Sequence, residues 1–336
     1  MKHNWAENLR TAGQDNNRKF HFAGFIRENG VILGMVLVLI VFGLINHKFF
    51  AVKNLVNVLN QSSLLIIMSI GMMFAMSVRA VDLSIAQIAD ISGLLAALLL
   101  LNKAPVWAVF LVPLLFCAAA GLINCLLVSY LGVPSIIATL GSMLIIRSIE
   151  LTMTNGAEAQ ILFTLPKKVT KAFFFFGTGS IGPIPFLIIF TAIVVSATHF
   201  IRHKTVLGRE MDAIGIQVRV AFLSGINVKL VFGSAFIIGS ILSGISGIAM
   251  VSRTGSAVPR SVESYLMECF VSVYLGMILS KKNRMNVIGT AAGAIFVGLI
   301  GNWITLMGLG APYKYIINGV IILIALSIGA MKKSDC

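Results

Sequence analysis

A polar segment between two long apolar runs reads Thr205-Val-Leu-Gly-Arg-Glu-Met-Asp-Ala-Ile-Gly-Ile-Gln-Val-Arg-Val-Ala-Phe-Leu-Ser-Gly-Ile-Asn-Val228. A charged residue at the centre of a bilayer costs about 2.5–3.5 kcal/mol. The charged residues in and beside this segment are Arg202, Lys204, Arg209, Glu210, Asp212, Arg219 and Lys229. Apolar residues recur at helical spacing, namely Met211, Ile214, Val218, Ala221 and Phe222. The pattern predicts short amphipathic helices in residues 202–229, outside the hydrocarbon and beside a membrane bundle.

The rest of the chain has the composition of an integral membrane protein. It is 58% hydrophobic and 11% charged, which leaves too little polar surface to cover soluble domains. A transmembrane helix needs roughly 20 mainly apolar residues, and about ten such runs can be placed. They are residues 30–47, 62–78, 84–101, 106–131, 133–153, 183–201, 230–251, 265–280, 287–307 and 313–330. We therefore expect an all-α polytopic membrane protein.

The chain divides into a polar tail and a transmembrane domain. Residues 1–29 are too polar for a short secretory leader, so we expect an uncleaved cytoplasmic tail. Residues 30–331 are expected to form the transmembrane domain. Lys and Arg are concentrated in the tail, in residues 202–229 and in residues 281–284, all on one side of the predicted topology. The positive-inside rule then places both termini and residues 202–229 in the cytoplasm.

Two runs of similar sequence occupy equivalent places in the two halves of the chain. One reads Gly121-Leu-Ile-Asn124 and the other Gly298-Leu-Ile-Gly-Asn302. With five spans each, the halves have opposite topology, so we expect two inverted five-helix halves. Asn124 and Asn302 are candidate residues of a transport pathway, because an intramembrane amide must pair or face water. Interhelical hydrogen bonds that hold the spans together are the alternative for each amide.

A carboxylate lies at a predicted membrane boundary, in the tight turn Arg79-Ala-Val-Asp82. An unpaired charge there is costly, so Asp82 should cap the following helix, pair with Arg79, or both. A role in the transport pathway is the alternative to capping.

The outer connection of residues 154–182 is longer than ordinary loops. We expect it to be partly structured, with Phe173 to Phe176 forming either an interfacial aromatic belt or part of a short re-entrant helix.

Several kinds of chemistry lack support in the sequence. No Walker motif is present, and the histidines never occur as His-x-x-x-His. The cysteines show no metal-ligand spacing; they are Cys117, Cys125, Cys269 and Cys336. We expect no catalytic site, metal or cofactor. The net charge of +14 flanks apolar spans and indicates anionic lipid rather than nucleic acid.

The polar segment and three shorter motifs resemble those of a known family. The matching residues in the segment are Thr205, Gly208, Arg209, Ala213, Ile214, Gly215, Ala221 and Gly225 to Val228. The shorter motifs are Val81 to Ser84, Pro134 to Met143 and Asn302 to Gly308. With these motifs the chain resembles the membrane permease subunits of bacterial ABC importers of the ribose, galactose and xylose type, in the branched-chain amino acid/sugar permease superfamily.

The resemblance implies a function and a set of partners. It implies the permease subunit of an ATP-driven importer of a small polar solute, most simply a monosaccharide, in the inner membrane. The implied partners are a cytoplasmic ATP-binding subunit, an extracytoplasmic solute-binding protein, and a second copy or a paralogous permease. In the family the polar loop docks into the ATPase, which makes the following residues of this chain candidates for coupling: Gly208, Arg209, Ala213, Gly215, Ala221 and Gly225.

The chain departs from the family pattern around residues 265–285. Leu266 stands where the family has Glu, Glu268 where it has Asp, and Met277 where it has a second Gly. The glycine-rich turn that follows is here Ser280-Lys-Lys-Asn-Arg-Met. These changes predict an altered second cytoplasmic surface or inner gate.

Two other functions remain open, an ion-coupled secondary transporter and a membrane scaffold or sensor. A coupled carrier needs carboxylates or histidines deep in its spans. Only Glu150 with Arg147 meets this condition in the sequence, and a structural ion pair between them is the simpler interpretation.

Overall fold

The computed structural model describes residues 32–280, 284–310, 312–321 and 323. The predicted tail of residues 1–29, the domain boundary at residue 331 and residues 281–283 of the cationic turn lie outside the described residues. The chain divides into two compact units at Ala51. In the first unit, helix α1 (Ile32–Ile45) is followed by a 3₁₀ turn (His47–Phe50), and Asn46 caps this turn by accepting a hydrogen bond from the Lys48 amide at 3.0 Å.

The second unit is built almost wholly of helices. They are α2 (Val52–Ser77), α3 (Ile85–Leu101), α4 (Val106–Cys125, continued by a π-helical turn Leu126–Tyr130), α5 (Ser135–Met153), α6 (Lys167–Thr178), α7 (Phe186–Lys204), α8 (Val206–Ile216), α9 (Val218–Leu223), α10 (Val228–Thr254), α11 (Tyr265–Leu279), α12 (Val287–Leu306) and α13 (residues 312–321). Two short antiparallel ladders accompany them, β1 (Gln160–Ile161) with β4 (Ser256–Ala257), and β2 (Ser180–Ile181) with β3 (Ile184–Pro185).

The helices confirm an all-α polytopic membrane protein. Within the described part of the chain, 6 helices are long and apolar enough to cross a membrane: α2, α4 with its π turn, α5, α7, α10 and α12. Shorter apolar helices are α1, α3 and α11. Every run predicted from hydropathy coincides with a helix, as far as it is described. The main difference is that α2 begins at Val52 and not near Ser62, because its first turns carry polar side chains that lower the hydropathy without breaking the helix.

Helices α2 and α10 form the centre of the second unit. Helix α10 packs on α2, α3 and α4, while α2 packs on α10, α11 and α12. The two backbones approach at a pair of glycines, where a Cβ on Gly71 would lie 2.8 Å from the Gly239 carbonyl oxygen and a Cβ on Gly239 would lie 2.9 Å from the Gly71 oxygen. Small residues allow such close crossings in membranes. Helices α2 and α10 thus each pack on the other and on two further helices. This agrees with two halves of similar structure.

Helices α4, α5 and α7 present apolar side chains outward. Leu115, Ile145 and Ile193 are exposed, although a large hydrophobic residue is ordinarily buried in a soluble protein. A helix that is apolar on its exposed side suits contact with lipid tails. These three helices therefore form lipid-facing walls around α2 and α10.

The connection between α5 and α7 contains a helix that packs against the bundle. Phe173 of α6 is fully buried among side chains of α3, α4 and α10. The Ser252 hydroxyl of α10 accepts a hydrogen bond from the Gly177 amide at 2.8 Å and donates one to the Phe173 carbonyl. The prediction of a partly structured connection is confirmed. Two forms were expected for Phe173 to Phe176, an interfacial aromatic belt or part of a short helix. The structure shows a short helix that packs against the bundle.

Candidate functional site

The 202–229 segment folds into α8 and α9, two short helices that lie on the bundle through one face. Met211 and Ile214 are fully buried, and Ala221 is 2% exposed. These residues confirm the predicted amphipathic pattern in α8. In α9 the pattern differs, because this helix has only 6 residues and turns Ala221 inward while Phe222 is exposed.

Two arginines fix α8 to its neighbours. Buried Arg202, at the end of α7, donates to the Gly208 carbonyl and forms an ion pair with Asp212, both at 2.6 Å. Arg79, in the link between α2 and α3, donates to the Gly215 and Ile216 carbonyls at 2.9 and 2.6 Å. A cation is stabilised at a helix C-terminus by the unpaired carbonyls there. The 202–229 segment is thus joined to both α7 and α2.

The candidate coupling residues divide between an inner and an outer face. Gly208 and Ala221 are buried, Ala213 and Gly215 are half-buried, and Arg209 and Gly225 are exposed. A Cβ on Gly215 would lie 2.6 Å from the Ser77 carbonyl oxygen, and one on Gly208 would overlap the Arg202 carbonyl. The small size of these two glycines therefore serves packing on the chain itself. Gly225 has a φ of 83°, which ends α9 in a conformation that favours glycine.

The outer face of the 202–229 segment carries exposed apolar side chains among charged and polar ones such as Arg209, Gln217 and Arg219. Ile216 is 57% exposed and Val220 is 53% exposed. Val206, Phe222 and Leu223 are also exposed. Helical periodicity in the sequence predicts which apolar side chains face the bundle. Apolar side chains on the opposite face depart from that pattern, so this face was not predicted residue by residue.

Asp82 and Asn124 belong to one hydrogen-bonded chain. Asp82 is buried and accepts hydrogen bonds from the Ser84 amide at 2.9 Å and from the Ser84 hydroxyl at 2.6 Å. Asn124 donates to the same hydroxyl at 2.9 Å and accepts from Ser142. Asp82 lies near the start of α3 as expected, but the predicted cap is wrong, because the N-cap of α3 is Ser84 and Asp82 accepts from Ser84 itself and not from the first turn of the helix. The expected pair with Arg79 is wrong, because Arg79 extends to the carbonyls that end α8.

Asn302 lies in a different network from Asn124. Its amide and that of Asn54 exchange hydrogen bonds of 2.8 and 3.0 Å between α12 and α2. Asn54 is in the first turn of α2, whereas the Asp82 and Asn124 chain follows the last turn, which ends at Ser77, about 35 Å away at 1.5 Å per residue. The two asparagines are therefore at opposite ends of α2. Both make the interhelical hydrogen bonds that were the alternative to a pathway role.

Two further carboxylates are buried in the bundle, Asp90, which sequence reasoning missed, and Glu150, which it identified. Asp90 in α3 accepts from the Ser261 hydroxyl at 3.1 Å and the Val262 amide at 3.0 Å. Glu150 in α5 accepts from Gln87 and from the Arg260 amide. The expected ion pair of Glu150 with Arg147 is not the one formed, since Arg147 pairs with Glu263 at 3.5 Å. Asp90 and Glu150 together hold the link between α10 and α11 against the bundle.

Comparison with known proteins gives relatives over nearly the whole chain. The ribose import permease protein of Bacillus subtilis is 30% identical over 322 residues, which cover 96% of this chain and 98% of that protein. The ribose import permease protein of Haemophilus influenzae is 29% identical, with 91% and 94% covered. The D-allose transport system permease protein of Escherichia coli is 28% identical, with 93% and 94% covered. No solved structure matches.

The family match covers all the sites described above. It leaves out the residues before the first turn of α2 and the end of the chain. Residues 54–326 match the family described as "Branched-chain amino acid transport system / permease component". The match includes the 202–229 segment, the Asp82 and Asn124 chain and Asn302. This chain is therefore a multi-pass membrane protein that belongs to that permease family.

Proposed function

We propose that the chain is the membrane permease subunit of an ATP-driven importer that carries a monosaccharide across the bacterial inner membrane. The observation that carries the proposal is the 202–229 segment, which is fixed to α7 by Arg202 and to α2 by Arg79 and still presents exposed apolar side chains on its outer face. A force applied to such a segment reaches the bundle at two places. The names of the relatives, which are permeases for ribose and allose, support a monosaccharide as cargo.

The implied partners follow from this arrangement. A cytoplasmic ATP-binding subunit binds and hydrolyses ATP and contacts the 202–229 segment. An extracytoplasmic solute-binding protein delivers the sugar to the other side, and a second copy or a paralogous permease completes the pathway. Both chain termini are then cytoplasmic.

The docking surface consists of Arg209, Ile216 and Val220, with Gly208, Gly215 and Ala221 supporting it from behind. Exposed apolar side chains outside the membrane favour burial against a partner. Arg209 supplies a charge-assisted contact at the edge of the surface. Four of the six candidate coupling residues therefore belong to this surface, Arg209 in its outer layer and Gly208, Gly215 and Ala221 in the inner layer that sets the position of the outer one.

An ion-coupled carrier is the alternative. A carrier needs a buried carboxylate that is free to exchange its ion. Asp90, Glu150 and Glu268 are each engaged by hydrogen bonds or an ion pair to neighbouring elements. Because each of these three carboxylates already has a partner within the chain, none of them provides the exchangeable ion site that a carrier needs, which supports the importer.

Uptake by membrane vesicles separates the two functions. Vesicles carry the chain with its ATP-binding subunit and solute-binding protein, and uptake of radiolabelled D-ribose, D-allose and D-galactose is measured. We expect uptake of at least one sugar to need ATP and to persist when ionophores collapse the proton and sodium gradients. Uptake that needs a gradient and no ATP would support the carrier instead.

A substitution on the outer face tests docking. Val220→Asp puts a charge in the centre of the proposed contact, and we expect at least ten-fold less ATP-binding subunit to co-purify with the chain. Val106→Asp is the matched control, because Val106 is also exposed but begins α4 at a distance from the 202–229 segment. Equal co-purification of both variants would refute the docking surface.

A further inference from the structure

A polar cavity of about 260 Å³ lies between α2, α11, α12 and α13. The polar side chains on its wall are Gln61, Ser62, Tyr265, Glu268, Asn302, Thr305 and Lys314. Small-molecule sites are concave and use polar groups at defined positions to fix the orientation of the ligand. This cavity offers many such groups beside the apolar side chains of Leu65, Ile304 and Leu309.

The cavity lies away from the 202–229 segment along α2. It is bounded by the middle of α2 from Gln61 to Leu65, the first turn of α11 and the last turns of α12. Gly215 of the 202–229 segment, in contrast, contacts Ser77 at the end of α2. A solute that enters from the side away from the ATP-binding subunit therefore meets this cavity before it reaches the level of that segment.

The wall carries one negative and one positive charge that compensate each other. The Lys314 ammonium is 2.6 Å from the Glu268 carboxylate, and Glu268 is 4% exposed. Taking such a pair out of water costs more free energy than packing apolar side chains of similar size, so the pair is weak support for stability alone. Since the pair is neutral overall, the cavity suits a neutral solute better than an ion.

Hydrogen-bonding capacity remains on the pair after it has formed. An ammonium group has three donors and a carboxylate has about four acceptor positions. Among the described residues, Lys314 is the one ion-pair partner of Glu268. Neighbouring hydroxyl groups on a sugar both donate and accept, so they match these free positions. The Tyr265 ring, 5.8 Å from the Lys314 nitrogen, adds an apolar face for the C–H side of the sugar.

The size of the cavity also fits one monosaccharide. A water molecule occupies about 30 Å³ in the liquid, so 260 Å³ corresponds to about nine waters. A pentose or hexose of about ten to twelve heavy atoms occupies a comparable space. Asn302 lines the cavity, and its amide is held in place by the hydrogen bonds that it exchanges with Asn54.

We propose that this cavity is a binding subsite for a neutral polyhydroxylated solute, in which Glu268 accepts and Lys314 donates hydrogen bonds to adjacent hydroxyl groups. The inference rests on the proposed function and adds the place at which the chain itself holds its cargo. It assigns to Glu268, one of the departures from the family pattern, a contact with the solute.

Filling the cavity is the first test. A Cβ on Gly301 would meet only the flexible Lys314 chain, at 3.3 Å, so Gly301→Ala should fold normally and Gly301→Leu should occupy the cavity. Gly319→Leu on α13 is the matched control, because its Cβ has nothing within 4 Å. Radiolabelled D-ribose, D-allose and D-galactose are the probes, with the complete complex in proteoliposomes. We expect Gly301→Leu to lower uptake at least ten-fold at unchanged complex yield, Gly301→Ala to assemble at the wild-type yield, and Gly319→Leu to stay within two-fold of the wild type in uptake.

Changing the charges tests the role of the ion pair. Glu268→Gln should raise the KM for uptake at least ten-fold. The exchange Glu268→Lys with Lys314→Glu keeps an ion pair but places donor and acceptor on opposite sides of the solute, so we expect assembly without recovery of the KM. Recovery by the exchange would show that the pair is structural and would overturn the inference.

The results also separate this inference from the proposed function. A wild-type complex that takes up none of the three sugars contradicts the proposed function and the subsite with it. A wild-type complex that takes up a sugar, with Gly301→Leu equal to it in KM and maximal rate, contradicts the subsite alone.

Discussion

Several polar side chains within the bundle are held by partners on other helices. Asn302 pairs with Asn54, Asn124 with Ser84 and Ser142, and the Ser92 hydroxyl donates to the Gly244 carbonyl at 3.0 Å. An unsatisfied polar group in hydrocarbon costs several kcal/mol. These residues therefore fix the register of neighbouring helices as well as their own positions.

Replacement of Arg79 tests how the 202–229 segment is joined to α2. Arg79→Gln removes both hydrogen bonds to the end of α8, and charge-assisted bonds contribute about 1.5–3 kcal/mol each when well ordered and less when exposed. We expect ATP hydrolysis to continue while sugar uptake per ATP falls several-fold.

The control for this variant is Arg219→Gln, which removes the same charge from an exposed position in α9. Coupling ratios measured in proteoliposomes should be near the wild-type value for Arg219→Gln. The same loss in both variants would show that general charge, and not the contact with α8, matters.

The raised pKa of Asp82 predicts that the stability of the fold depends on pH. In the link between α2 and α3, burial raises the pKa of Asp82 from 3.8 to about 6, although the hydrogen bonds from Ser84 lower it in part. The folded chain then holds this proton more tightly than the unfolded chain, so ionisation destabilises the fold as pH rises from about 4 to 6 and the full cost remains above pH 6. At 1.36 kcal/mol per unit the cost is about 3 kcal/mol.

The measurement is the thermal midpoint of the detergent-purified chain at pH 5 and pH 8. Asp82→Asn keeps an acceptor for the Ser84 amide and cannot ionise, so its midpoint should fall less between the two pH values than that of the wild type, by several degrees. Glu158→Gln removes an exposed carboxylate and should follow the wild type. A wild-type pH response in Asp82→Asn would refute the assignment.

Sequence reasoning identified several of these residues but not their partners. Asp82, Asn124 and Asn302 were singled out because polar groups in spans need partners. The partners could not be derived, because Asn54 and Asn302 are 248 positions apart in sequence and no local pattern joins them. Glu268 and Lys314 were missed as a pair for the same reason.

At the scale of helices, hydropathy predicts the spans but misses helical turns that carry polar side chains. It placed the start of α2 ten or so residues late, because Asn54 and Asn57 lower the average. In the structure these turns stay helical, and Asn54 uses its amide to bind α12. Hydropathy likewise predicted the position of the 202–229 segment. It did not predict which side chains of the segment face outward, because that depends on how α9 packs.

The crossing of α2 and α10 should be intolerant of larger side chains. A Cβ on Gly71 would lie 2.8 Å from the Gly239 oxygen, which is backbone and cannot rotate away. Gly71→Leu should therefore destabilise the fold by about 1–3 kcal/mol or more, seen as a lower thermal midpoint and a lower yield of monodisperse protein.

Gly141→Leu in α5 is the matched control, because a Cβ there has nothing within 4 Å. We expect it to insert and melt like the wild type. If Gly71→Leu melts at the wild-type temperature as well, the close crossing is not a feature of the folded protein.

At the scale of the whole second unit, the two candidate sites lie at different levels along α2. The 202–229 segment contacts its last turn, and the cavity that contains Glu268 lies beside its middle turns. An importer needs this arrangement, since ATP acts on one side of the membrane and the solute arrives on the other. Because α2 packs on α10, α11 and α12, a displacement of its end is passed to the elements that enclose the cavity.

The most direct test of this account is the sidedness of transport. Cysteines are introduced as Arg209→Cys or Lys171→Cys in a chain whose four native cysteines are replaced, and an impermeant thiol reagent reports which residue faces outward in proteoliposomes of the complete complex. We predict that Arg209 and Lys171 lie on opposite sides, and that labelled sugar moves only when ATP is on the Arg209 side and sugar on the Lys171 side. Labelling of both residues from one side, or uptake driven by ATP on the Lys171 side, would contradict it.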